Sequence, residues 1–118
     1  MSKRRDVKLF LEDILDEIQR IKRFVEGIKS FEELQNNEMV LYAVLKAIEN
    51  IGEAVKNIPD AVRNLYPLEW KKIAGLRDIV IHEYFGIDAE ILWEVIKEKL
   101  PELELAVSYL IKIKIENS

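Results

Sequence analysis

A chain of 118 residues with 22 acidic and 18 basic side chains, net charge −4, 49% hydrophobic and 34% charged residues has the size of one domain. It is too apolar to be disordered and too charged to live inside a membrane. The acidic balance argues against coating nucleic acid through an overall positive field, so any such contact must be local, and the absence of cysteine excludes a disulfide framework, a thiolate nucleophile and the usual sulfur-rich zinc site.

No apolar run approaches the ~20 residues that span a bilayer, and residues 1–6 lead into a charged amphipathic stretch rather than a signal-peptide core; the expected address is the cytoplasm, with no membrane partner. A first helix is predicted over residues 5–26, because Val7, Phe10, Leu11, Ile14, Ile18, Ile21 and Val25 fall in one stripe roughly 100° wide, with Gly27 placed to stop it. Ser30 can cap a short turn, and Asn37 can cap a second helix that carries Leu41, Val44, Leu45, Ile48, Ile51, Gly52 and Val55 on one face before Pro59. Residues 60–66 read as a short helix closed by Pro67, since the residue before a proline is pushed out of the helical region.

A third long helix is predicted over residues 68–84, ended by Gly86. Asp88 is a good N-cap for a fourth, bearing Ile91, Leu92, Val95 and Ile96, and Pro101 marks a new first turn before a fifth over residues 102–114. Residues 111–115 alternate apolar residues with lysine as a strand would, but without a predicted partner strand they read as a fraying helix end. The expected fold is all-α, an antiparallel bundle of four to five helices in a single domain over 1–118.

The chemistry concentrates in the third predicted helix. Arg77 and Tyr84, seven apart, would share a face, and Asp78 and His82, four apart, would be close enough to hydrogen-bond. Arg77 and His82, five apart, are separated by about 140° on a regular helix, so a distorted helix end, the reach of arginine or a second copy of the chain must bring them to one atom. Metal-free cleavage of RNA needs a base for the 2′-hydroxyl proton, an acid for the leaving 5′-oxygen and positive charge on the phosphoryl oxygens. His82, the only histidine, can exchange a proton near neutral pH, Arg77 can hold a phosphate in bidentate fashion, and Asp78 can orient the imidazole. No metal or other cofactor is called for, because the attacking hydroxyl belongs to the substrate. A homodimer would answer both the geometry and the problem of one histidine serving as base and acid.

The run from Trp70 through Gly75, Arg77, Asp78, His82, Tyr84 and Gly86 to Asp88 resembles the signature of the HepT-type toxins of the HEPN superfamily, R-x-x-x-x-H-x-Y with Asn or Asp directly after the Arg. The likeness extends to Leu11-Glu-Asp-Ile14, Ile51-Gly-Glu-Ala54 and Leu92-Trp93-Glu94 and covers nearly the whole chain. The resemblance implies a dimerising helical bundle, a ribonuclease site formed by Arg and His of both subunits, and toxicity through RNA cleavage. It also implies a partner, an MNT-type nucleotidyltransferase antitoxin that silences the toxin by adding AMP to the motif tyrosine. Carried over residue by residue, Arg77, Asp78 and His82 take the nuclease positions and Tyr84 the modified one.

Other residues read more plainly. Trp70, Ile73 and Val80 belong to packing rather than to a stacking platform, and Tyr42, Tyr66 and Tyr109 read as ordinary amphipathic packing. Glu49, Asn50 and Glu53 lie opposite the apolar stripe of the second helix and face water unless two subunits pair there. The Glu-x-x-His pairs of a di-metal bundle are missing. The rival to a nuclease is a non-catalytic helical module that binds a nucleotide or a partner protein and keeps the motif for recognition.

Overall fold

The computed structural model describes residues 3–82 and 86–116. Two long helices, α1 (Lys3–Phe24) and α3 (Glu38–Lys56), pack side by side, with the short α2 (Phe31–Gln35) between them in sequence. They run antiparallel, since Glu17 of α1 meets Asn50 of α3 while Phe10, earlier on α1, and Asn57, just past the end of α3, line one hollow. A one-turn α4 (Asp60–Arg63) leads to α5 (Trp70–Ala74) and α6 (Leu76–Val80), which lie against α3. A two-residue strand β1 (Ile81–His82) pairs antiparallel with β2 (Gly86–Ile87), and the chain then enters α7 (Ala89–Glu94). A π-helical stretch, Val95–Lys99, joins α7 without interruption to α8 (Leu100–Glu116), which packs on α1. The all-α class is as expected.

The core is one apolar cluster. Leu11, Ile14 and Ile18 of α1, Val44, Ile48 and Ile51 of α3, Leu92 of α7 and Leu103 and Leu110 of α8 are all essentially sealed from solvent. Burying each such side chain is worth about 1.5–3 kcal/mol, and it is this stripe-to-stripe burial rather than local propensity that fixes the long helices. Trp70, Ile73 and Val80 are buried as anticipated, and the Trp70 indole Nε1 donates to the Arg63 carbonyl at 2.9 Å, so this ring is a packed anchor. Tyr66 and Tyr109 pack ring to ring with centroids 5.6 Å apart. Tyr42 departs from its packing assignment, being 59% exposed on the outer face of α3.

The capping residues behave as the sequence suggests. Ser30 accepts from the Glu33 amide, Asn37 from the Val40 amide and Asp88 from the Ile91 amide, each filling an amide that the first helical turn leaves unpaired. Gly27, at φ +87, follows the end of α1 in the left-handed region that glycine adopts without strain.

Two expectations need correction. Pro101 does not begin a new helix: the run from α7 to α8 passes straight through it. The π-helical stretch just before it, in which the Leu100 amide reaches back to the Val95 carbonyl, widens the turn where the proline ring would otherwise press on the preceding carbonyl. The third long helix is also not continuous. It breaks at Gly75 between α5 and α6 and ends at Val80, where Ile81 turns extended at φ −105 and ψ 128. Bulky or β-branched residues fill positions 79–81, and the glycine at 86, at φ +78, lets the chain fold back so that the Asp88 amide donates to the Val80 carbonyl at 2.6 Å.

Candidate active site

Arg77 is positioned by a close approach of two helices. A Cβ on Gly52 of α3 would stand 2.8 Å from the Ala74 carbonyl oxygen, so only glycine lets α5 lie this near. The kink at Gly75 then sets α6 on the flank of α3. There the Arg77 Nε donates to Glu49 Oε1 at 2.7 Å, and its Nη1 lies 3.9 Å from Asp78 Oδ1. No hydrogen bond among the described residues takes the terminal guanidinium nitrogens, and the side chain is half exposed. It borders an open groove of about 340 Å³ whose other charged walls are Lys46, Glu49, Glu53, Lys56 and Asp78.

The groove continues past Asn50 into an acidic hollow of about 370 Å³ on α1. Glu17, buried to 6% exposure, accepts there from the Asn50 amide and the Arg20 guanidinium. Burial first, and then the neighbouring carboxylates Asp16, Glu17 and Glu12, push the Asp13 carboxyl above its ordinary range.

His82 sits on β1, not on a helix. Because the helix stops two residues before it, the expected four-residue spacing no longer joins it to Asp78, whose side chain is almost wholly exposed beside Arg77. Its partner is Asp88. The hairpin brings position 88 back beside position 82, and His82 Nε2 lies 3.0 Å from Asp88 Oδ2 while Asp88 Oδ1 accepts from the Ile91 amide at 3.0 Å. The Ile91 amide foremost, and the His82 ring behind it, hold the Asp88 carboxyl below the usual carboxylate range against the opposing effect of burial, so it stands ionised opposite the ring. The His82 side chain is 48% exposed, and Asp88 is its one hydrogen-bond partner among the described residues.

Among the described residues no hydrogen bond or ion pair links Arg77 to His82, and His82 does not line the Arg77 groove. Tyr84 lies outside the described residues. Sequence reasoning missed two partners. Glu49 is joined to Arg77 across 28 positions, which no local spacing reveals; Asp88 was identified only as a cap, and its second oxygen reaches His82 because the hairpin replaces a helix.

A helical bundle that holds an arginine by one edge on an open groove and, five residues on, a histidine braced by a carboxylate has the parts that phosphodiester chemistry asks for: fixed positive charge and a group that moves a proton. The chain belongs to the HepT-like ribonuclease family. The family described as "Ribonuclease HepT-like" matches residues 14–110, which takes in the second half of α1 through most of α8 and the whole Arg77 to Asp88 segment. The chain is 45% identical over 108 residues to a Methanocaldococcus jannaschii protein named "Putative RNase MJ1380", covering 91% of this chain and 97% of that one. A Thermococcus cleftensis protein named "Probable ribonuclease HepT" is 41% identical over 102 residues, covering 86% and 92%. A Caldanaerobacter subterraneus protein named "Putative RNase TTE0752" is 42% identical over 104 residues, covering 87% and 92%. No solved structure matches the chain.

Proposed function

We propose that the chain is a metal-independent endoribonuclease toxin that cleaves RNA by attack of the substrate's own 2′-hydroxyl. The observation that carries this reading is the pairing, within the family's matched span, of a half-exposed Arg77 hydrogen-bonded through Nε and a half-exposed His82 braced by Asp88. The 2′-hydroxyl gives its proton to an imidazole and attacks the adjacent phosphorus; the bond to the 5′-oxygen breaks, and that oxygen takes a proton from an acid. The products are a 2′,3′-cyclic phosphate and a 5′-hydroxyl. Arg77 binds the phosphoryl oxygens as their charge grows, through hydrogen bonds that strengthen in the transition state. Asp78, with Oδ1 3.9 Å from Nη1, sets a second carboxylate beside the guanidinium.

One histidine per chain supplies one proton-transfer group, and within one protomer Arg77 faces α3 while His82 faces α7. The working enzyme is accordingly a homodimer in which two Arg77 and His82 sets meet across the seam. Arg77→Ala and His82→Ala should each lose most RNA cleavage while keeping their helix content. General acid-base catalysis is typically worth ~10²- to 10⁴-fold, so a loss under tenfold in His82→Ala contradicts its role.

An MNT-type nucleotidyltransferase antitoxin neutralises the toxin by adding AMP to Tyr84. The new phosphate would engage the free guanidinium as an RNA phosphate does, while the nucleoside blocks access. Incubation with that partner and ATP should add AMP mass to wild type and not to Tyr84→Phe; full inhibition with unchanged mass contradicts the modification.

A further inference from the structure

His82 offers two nitrogens, and only one can face RNA with a lone pair. Asp88 decides which. Its Oδ1 is taken by the Ile91 amide at the start of α7 and its Oδ2 lies 3.0 Å from His82 Nε2. A carboxylate can only accept, so the ring nitrogen that meets it must carry the hydrogen.

We propose that Asp88 is a positioning residue that holds neutral His82 as the Nε2–H tautomer, which makes Nδ1 the nitrogen that takes the proton from the RNA 2′-hydroxyl or, once protonated, returns it to a leaving oxygen. The inference rests on the ribonuclease reading for its consequence, but the tautomer itself belongs to the free protein. When Nδ1 gains the proton, the ring becomes an imidazolium whose charge faces the Asp88 carboxylate at hydrogen-bond distance; the carboxylate stays ionised and the proton count on Nε2 does not change. A carboxylate behind a proton-carrying imidazole does this in unrelated enzymes, by fixing tautomer and ring orientation rather than by relaying the proton.

The geometry also explains why a helix cap does this work. The cap fixes the Asp88 side chain on Oδ1, leaving Oδ2 aimed at a ring that the β1–β2 pairing places beside it, with His82 opposite Gly86 in the ladder. The Asp88 amide is tied in turn to the Val80 carbonyl. The imidazole is thus referred to the start of α7 and the end of α6 together, and the correct ring orientation depends on a closed hairpin. Asp78, four residues before His82, has no share in this.

The test uses the single histidine. Protein labelled with ¹⁵N in the imidazole gives one ring to follow, and a long-range ¹H–¹⁵N spectrum above the ring's titration should show a protonated nitrogen at Nε2 and an unprotonated one at Nδ1. Asp88→Asn keeps an oxygen for the Ile91 amide and presents an NH₂ group to Nε2, so the tautomer should invert to Nδ1–H with thermal stability nearly unchanged. Asp88→Ser also caps well but is too short to reach the ring, and the two tautomers should mix. With RNA as substrate, Asp88→Asn should lower kcat by about 10²-fold or more with little change in KM, since it spoils proton transfer and leaves phosphate binding alone. Wild type found as Nδ1–H, an uninverted Asp88→Asn, or an inverted Asp88→Asn with full kcat each overturns the proposal. Wild-type protein with the Nε2–H tautomer and no RNA cleavage contradicts the ribonuclease reading instead, and leaves the Asp88 hold on the ring standing.

Discussion

The Arg77 side chain shows how a half-exposed ion pair serves function more than stability. Its contact with Glu49 at 2.7 Å lies at the surface, with the two side chains 50% and 31% exposed, and pairs of that kind contribute about 0–1 kcal/mol to folding. The geometric effect is larger. A carboxylate on Nε fixes the guanidinium by one edge and leaves its two terminal nitrogens, the pair that matches two phosphate oxygens, without a hydrogen bond among the described residues. Glu49→Ala should therefore leave the thermal midpoint nearly unchanged while raising KM for RNA roughly tenfold, equivalent to ~1.4 kcal/mol of lost orientation. Glu49→Gln, whose carbonyl can still accept from Nε, should keep most of the affinity. A Glu49→Ala variant that binds RNA more tightly would mean instead that Glu49 competes with the phosphate for Arg77.

The elements that hold the site are short, and their shortness is what makes it. α5 and α6 have five residues each, and their angle is set at Gly75 by the fit of Ala74 over Gly52. Gly52→Ala would drive a methyl group into a backbone carbonyl that cannot rotate away. Overpacking of this kind costs about 1–3 kcal/mol, so denaturant unfolding should show a loss in that range together with weakened cleavage as α6 and Arg77 move; a neutral Gly52→Ala would show that α5 can retreat freely. The three side-chain caps, the stripes of α1 and α3 and the all-α class were legible in the sequence, because each depends on spacings within one or two turns. The end of the helix at Val80 was not. Arg77 to Tyr84 has an acceptable helical pattern, and what overrides it is a return of the chain through Gly86 that only pays off once the Val80 carbonyl and the His82 ring have found Asp88. The π-helical stretch before Pro101 was hidden for a similar reason: proline at a helix start and proline absorbed by a widened turn look the same in one dimension.

At the scale of the whole molecule the described chain measures 46 × 29 × 26 Å, and no described helix is long and apolar enough to cross a membrane. Its charge explains why an acidic protein can act on a polyanion. Carboxylates crowd the α1 side of the groove and flank Arg77 at Glu49 and Asp78, so attraction for RNA is confined to a small region and a second protomer's cation would double it. Met39 and Tyr42, exposed at 81% and 59% on α3, leave apolar surface on the helix that carries Glu49, in keeping with pairing of two chains in the proposed dimer. Everything proposed for the site turns on the substrate's 2′-hydroxyl acting as nucleophile, and the ends of the cleaved RNA report this directly. Purified chain incubated with RNA in excess chelator should leave 2′,3′-cyclic phosphate and 5′-hydroxyl ends, and should leave an all-2′-deoxy strand of the same sequence intact. Ends carrying 3′-hydroxyl and 5′-phosphate, or cleavage that stops with chelator and returns with magnesium, would contradict the account.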